Sequence, residues 1–221
     1  MLFYQIIKLF NNTTFTEQGI IMTTLLQIHS SIFSSTGHSS QLAEEFVATW
    51  CSKHPDTRVV LRDLASQPLP HLDSQRVSAF FTPADALTAE QQTVIDESNA
   101  LIDELKQSEI IVLGLPMYNF GIPSTLKAYF DHIARAGVTF RYTANGPEGL
   151  LNNKKVYVFA TRGGQYVGTA LDSQTGYVRD FLNFLGLRDI EFVYAEGLNM
   201  IAETKDKALA DARQRLMTLV N

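Results

Sequence analysis

The sequence predicts an α/β protein: a doubly wound, five-stranded parallel sheet with a hairpin inserted after the third βα unit. Three observations predict it. From residue 24 onward, short apolar runs alternate with stretches whose apolar residues recur at helical spacing. The strongest run, Ile110-Ile111-Val112-Leu113-Gly114-Leu115, holds no polar residue, as a strand buried on both faces requires. No repeat, low-complexity tract or linker divides residues 22–221, so a single layered domain must hold all five strands.

Met22 stands directly before strand one, Thr24-Leu25-Leu26-Gln27-Ile28. Residues 1–21 open greasy and turn polar, without the basic start or the small-residue cleavage site of a signal peptide. They are read as an N-terminal extension outside the fold, and residues 22–221 as the domain. A polar loop, Ser34-Ser35-Thr36-Gly37-His38, leads to Ser39. Leu42, Phe46 and Trp50, with Ala43, Val47 and Cys51, then repeat every four residues until His54-Pro55 stops the helix. Val59-Val60-Leu61 is strand two. Residues 66–87, punctuated by Pro68, Pro70 and Pro83, have no clean period and read as an irregular surface segment.

Thr88 and Gln91 form a capping box for a helix with Val94, Ile95, Leu101, Ile102 and Leu105 on one face. Strand three ends at Pro116. Pro123 sits where a first helical residue would, Leu126, Phe130 and Ile133 follow, and Gly137 is the expected stop. Residues 138–151 form the inserted hairpin, turning near Asn145-Gly146. Val156-Tyr157-Val158-Phe159-Ala160 is strand four. A helix from about Ser173 carries Tyr177, Val178, Phe181, Leu182 and Leu185 and stops at Gly186. Ile190-Glu191-Phe192-Val193-Tyr194 is strand five, and a last helix buries Leu209, Ala212, Leu216 and Leu219.

Composition removes several classes of function. Eighteen basic against 23 acidic residues leave a net charge of −5, which argues against nucleic acid as a partner and falls short of the dense acidic surface of a small electron carrier. No apolar run reaches the ~18 residues of a membrane span. The single cysteine, Cys51, excludes an intramolecular disulfide or a multi-cysteine metal site; on the apolar side of its helix it reads as core filling, and a cytoplasmic setting fits. His29, His38, His54, His71 and His132 show no metal-ligand spacing, so no metal is expected. Asp131-His132 reads as a surface pair. The Gly-x-Ser-x-Gly of a hydrolase elbow is missing.

In open α/β sheets, ligands bind beyond the carboxyl ends of the strands where strand order reverses. Three loops lie there. The first places Ser31, Ser34, Ser35, Thr36, His38 and Ser39 around Gly37 at a helix start, where free amides and the positive dipole end attract an anion. A monophosphate is the natural candidate, the alternative being that Ser39 merely caps the helix. The second, Pro116-Met117-Tyr118-Asn119-Phe120-Gly121-Ile122-Pro123, offers aromatics and an amide to a flat polar ring, or else plugs a helix end. The third, Thr161-Arg162-Gly163-Gly164, lets backbone approach a ligand; Arg162 supplies charge to a ring that becomes anionic on reduction, or is a solvated turn residue.

At these loops the chain resembles the FMN-dependent NADH:quinone oxidoreductases, also called FMN-dependent azoreductases. The matching stretches are His29-Ser30-Ser31 with Ser39-Ser40-Gln41-Leu42, then Pro116 to Phe120, then Arg135 to Tyr142 with Asn145 to Leu150, and Arg162-Gly163-Gly164. The resemblance spans about residues 24–220 and implies a flavodoxin-like fold. It implies FMN contacts at Ser31, Gly37, His38 and Ser39 on the phosphate side, and at Met117, Tyr118, Asn119, Phe120, Thr161, Arg162, Gly163 and Gly164 on the ring side. No catalytic side chain is implied, because hydride transfer occurs at the flavin N5. It further implies a homodimer with flavin sites at the subunit interface, NADH as electron donor, and quinones or azo compounds as acceptors in alternating half-reactions. The opposing readings are a flavodoxin-like electron carrier, which the hairpin and the modest charge count against, and a phosphosugar binder without flavin.

Overall fold

The computed structural model of the chain describes residues 22–220; the extension expected at residues 1–21 lies outside them. In chain order the elements are β1 (Thr24–His29), α1 (His38–Lys53), β2 (Arg58–Asp63), α2 (Ser74–Phe81), α3 (Ala89–Gln107), β3 (Ile110–Pro116) and α4 (Ser124–Ile133). Then come β4 (Phe140–Thr143), β5 (Gly146–Gly149), β6 (Lys155–Thr161), α5 (Ser173–Leu185), β7 (Asp189–Ala195) and α6 (Ala202–Leu219).

The five long strands form one parallel sheet in the order β2-β1-β3-β6-β7, and β4 and β5 pair antiparallel as the inserted hairpin. Side chains alternate between faces, and the sheet therefore has two cores. Leu26, Ile111, Val156 and Ile190 lie in register on the face covered by α3, α4 and α5. Leu25, Val112, Tyr157 and Val193 lie on the other, covered by α1 and α6. Every residue of β3 is buried, so its apolar run serves both cores. Cys51 packs partly buried against the second core.

The capping box opens α3 as expected, with Thr88 accepting from the Gln91 amide and Gln91 returning the bond. Gly186 closes α5 in the left-handed conformation (φ 100°), and the Leu151 amide donates to Leu185 O, joining the hairpin's return to the same helix end. A Cβ on Gly149 would stand 2.0 Å from Gly186 N, so the hairpin base and the end of α5 touch backbone to backbone.

Four local expectations are corrected. The segment 66–87 contains α2, whose N-cap Asp73 accepts from the Arg76 amide; only Ala79 of that helix is buried, which is too little burial to write a period into the sequence. The helix after β3 ends at Ile133 rather than Gly137, which lies in the turn ahead of β4 and donates to Phe140 O. Pro123 is the N-cap of α4 rather than its first residue. His132 is fully buried beside Pro70 O (3.0 Å) while Asp131 pairs with Lys127, so the two are no surface pair.

Candidate functional site

Strand order reverses between β1 and β3, since the chain goes from β1 outward to β2 and returns on the other side of β1. Beyond the carboxyl ends of β1, β3 and β6 lies a cleft of about 210 Å³. Its first wall is Ser31, Phe33, Gly37, His38 and Ser39; its second is Pro116, Met117 and Tyr118; its third is Thr161, Arg162 and Gly163, with Leu198 and Asn199 beside them. The three loops picked out in the sequence thus meet. Asn119, Phe120 and Gly164 are not among the lining residues; Phe120 follows the lining Met117-Tyr118 in the same loop, its ring edge-on to Tyr166 at 5.5 Å.

The helix-start wall is built around Gly37. It is the N-cap of α1, and a Cβ there would lie 2.2 Å from Ser31 Oγ, so only glycine fits. Ser39 is therefore inside the helix rather than its cap, a correction to the bland reading of this loop. Most hydroxyls around it are engaged within the protein. Ser30 donates to Gly114 O, Ser34 to Asp63, and Thr36 to Phe33 O, while Ser31 Oγ lies 3.1 Å from Tyr118 Oη. Ser39 and Ser40 differ. Both hydroxyls are buried and have no hydrogen-bond partner among the described residues, and of the two residues Ser39 lines the cleft. The first-turn amides of α1 have no partner within the helix either, so donors and the positive dipole end converge on one spot.

Beneath this wall His29 is buried, with Gln27 Nε2 at 2.7 Å from its Nε2. Burial lowers its pKa, and the carboxylates of Glu44 and Asp63, which pull the other way, do not offset this. Burial thus favours the neutral imidazole, whose Nε2 faces the Gln27 side-chain amide.

The aromatic wall is a two-residue turn. Tyr118 and Gly121 exchange both backbone hydrogen bonds, and Asn119 and Phe120 between them have φ of 50° and 64°. Both lie in the left-handed region that non-glycine residues enter at a cost. Ser173 Oγ donates to Phe120 O, and the buried Gln174 donates to Pro116 O at 2.8 Å and Gly121 O at 3.3 Å.

The third wall departs most from expectation. Arg162 is neither solvated nor a free positive charge: it is 1% exposed. Its guanidinium bonds Asp172 (2.9 Å), Thr175 Oγ1 (2.8 Å) and Glu196 (3.1 Å) and lies over the Tyr194 ring. Two carboxylates outweigh its single charge. Burial alone would raise the Asp172 pKa, but the Thr175 amide, Arg162 and the Thr175 hydroxyl hold its carboxyl below the usual range. The room at the two glycines is taken by the protein itself: a Cβ on Gly163 would meet Asn199 Nδ2 and one on Gly164 would meet Tyr166 Oη, each at 2.6 Å. Leu198 N, Asn199 N and Gly197 N donate in turn to the carbonyls of Arg162, Gly163 and Gly164, which fastens residues 197–199 into the cleft. Those residues escaped the sequence reading, although β7 ends at the same edge and the strand-end rule extends to its loop.

A parallel sheet with this reversal, and a cleft where a helix start with free amides meets the loops after β3 and β6, define a flavodoxin-like protein, and residues 23–220 match the family model described as flavodoxin-like fold. The chain belongs to the FMN-dependent NADH:quinone oxidoreductases within it. It is 58% identical over 195 residues to the enzyme of that name from Cellvibrio japonicus (strain Ueda107), covering 88% of this chain and 97% of the relative. It is 56% identical over 193 residues to that from Alcanivorax borkumensis, covering 87% and 98%. Among solved structures, the azoreductase from Bacillus anthracis str. Sterne superposes with a TM-score of 0.83 at 27% identity, covering 90% of this chain and 99% of that one. An FMN-dependent NADH-azoreductase from Bacillus anthracis str. Ames Ancestor, in complex with FMN, gives 0.78 at 27% identity over 90% of this chain and all of that one.

Proposed function

We propose that the domain at residues 22–221 is a cytoplasmic FMN-dependent oxidoreductase that uses NADH to reduce quinones to hydroquinones and to cleave aromatic azo compounds to amines. The observation that carries this is the cleft at the strand-order reversal, lined at its helix-start wall by Ser39, whose buried hydroxyl has no partner among the described residues, in a chain so similar to enzymes of that name. An orphaned buried hydroxyl beside free amides is what a phosphate monoester satisfies.

When bound, FMN supplies a flavin ring that takes up a hydride and passes electrons on. The chain's residues hold, orient and shelter it. Ser39 and the first-turn amides of α1 hold the phosphate; Ser31 and Gly37 shape the passage beside it. Met117 and Tyr118 with Thr161 and Gly163 would present backbone and side chain to the ring, with Phe120 beyond them at the mouth. Because Asp172 and Glu196 neutralise Arg162, the electrostatic support near the ring comes from backbone amides, and Arg162 contributes as a fixed point of the wall.

One mouth serves donor and acceptor, so they take turns and the kinetics are ping-pong. The working unit is a homodimer. At about 210 Å³ the cleft is below the ~300 Å³ at which pockets that enclose a ligand begin, and Phe33 (63% exposed), which lines it, with Phe120 (52%) and Met200 (53%), which follow lining residues in their loops, offers apolar surface that a second copy would cover. Purified protein should be yellow and release FMN by mass, and NADH alone should bleach it without oxygen. Colourless protein excludes the flavin; flavin that NADH leaves oxidised makes the chain an electron carrier instead.

A further inference from the structure

Both walls of the mouth trace back to one helical turn. Asp172, Ser173, Gln174 and Thr175 stand in succession at the start of α5, and each holds a piece of the cleft. Ser173 and Gln174 hold the aromatic loop by its carbonyls at Pro116, Phe120 and Gly121. Asp172 and Thr175 hold the Arg162 guanidinium, whose other arm reaches Glu196 Oε1. That same oxygen accepts from Tyr166 N at 2.9 Å and Val167 N at 3.0 Å. The Phe120 and Tyr166 rings that face each other at the rim are thus positioned from a common base.

We propose, resting on the flavin reading above, that this turn, and Gln174 above all, is a positioning element that sets the width of the mouth and so the size of acceptor admitted. Two observations single out Gln174. It shares the inward stripe of α5 with Val178, Leu182 and Leu185, is 1% exposed, and has an unpartnered Oε1. An apolar side chain there would avoid burying that oxygen, so packing alone does not account for a glutamine. Its amide also ties the loop of the left-handed Asn119-Phe120 turn at both ends, at Pro116 O and Gly121 O, where Ser173 holds it at the single carbonyl of Phe120. Without that tie the turn is free to leave a conformation that non-glycine residues disfavour.

Hydrogen exchange on the flavin-free full chain reads the hold directly. Gln174→Met should raise exchange at residues 117–122 by about fivefold or more, the factor that one lost hydrogen bond represents, while residues 178–185 exchange as before. In the FMN-loaded protein the ratio of kcat/KM for a one-ring over a two-ring quinone should shift by about the same factor, with the FMN Kd within roughly twofold of wild type. Ser173→Ala, on the exposed side of the turn, should move both readouts the same way and stands in if Gln174→Met does not fold. Unchanged exchange, or raised exchange with an unchanged quinone ratio, overturns the proposal. So does parallel loss of FMN affinity and of turnover with both quinones, which marks a general structural role. Wild-type protein that binds FMN but reduces no quinone overturns the functional reading instead, and exchange then still decides whether Gln174 holds the loop.

Discussion

The proposed phosphate site rests on Ser39, whose hydroxyl is buried without a partner among the described residues. Replacing it with alanine deletes an unsatisfied group rather than a helix cap, so the flavin-free protein should melt no lower than wild type. FMN affinity should fall by about ten- to a hundredfold, the weight of roughly 1.5–3 kcal/mol for a hydrogen bond to a charged group. A fluorescence titration of the folded variant showing unchanged affinity would remove Ser39 from the site. Gly37 could be singled out in the sequence as part of a helix-start loop, but the reason glycine is obligatory there could not, because Ser31 Oγ reaches its Cβ position only through the fold. Arg162 was the hardest residue to read. Its partners Asp172 and Glu196 are 10 and 34 positions away, and nothing in Thr-Arg-Gly-Gly announces a fully buried cation. His29 bears on pH. Its folded pKa lies below the unfolded value, so the neutral form contributes stability above about pH 6.5. That stability is lost as pH falls, because the unfolded chain takes up the proton first. Urea midpoints of flavin-free protein between neutral and mildly acid pH should therefore decline, at up to ~1.4 kcal/mol per pH unit from this group, and His29→Gln should flatten the decline.

Among the elements, the central strands and long helices were legible because their burial is written as period: β3 as an unbroken apolar run, α3 and α5 as stripes with a capping box and a terminal glycine. What escaped was α2, which buries one residue and therefore has almost no stripe to read. The aromatic turn after β3 was visible as a ligand wall, but its left-handed backbone at Asn119 and Phe120 was not, since neither residue is glycine. Phe120→Ala should change both stopped-flow phases, bleaching by NADH and reoxidation by a quinone, because one rim serves both. A change confined to reoxidation would indicate separate places for donor and acceptor. Parallel double-reciprocal plots go with the shared mouth, and intersecting ones, measured free of substrate inhibition, count against it.

At the scale of the molecule, the strand order places the reversal and hence the cleft; alternation of strands with helices gives the parallel sheet, and the composition of the loops after β1, β3 and β6 points to the cleft, but the order itself is not written in the sequence. In the proposed dimer, a second copy closes the cleft. Tyr142 on the hairpin is a ring left 75% exposed by the described residues. Tyr142→Asp should shift the sedimentation profile from dimer to monomer and lower FMN retention with it, while the melting profile of the flavin-free protein changes little. A wild-type protein that sediments as a fully active monomer would show that one copy completes the site.

The contact of Gly149 with Gly186 makes α5 a rod fastened at both ends. One end carries the hairpin base, the other the turn that ties the cleft walls, and its 13 residues span about 20 Å between them. A rod of this kind has a phase as well as a length. Adding one residue would rotate one end by about 100° against the other, so Gln174 and Gly186 cannot both keep their partners. Insertions that the hairpin tip would absorb are therefore forbidden here, and a second copy pressing on the hairpin would bear on a strut whose far end is the active-site mouth.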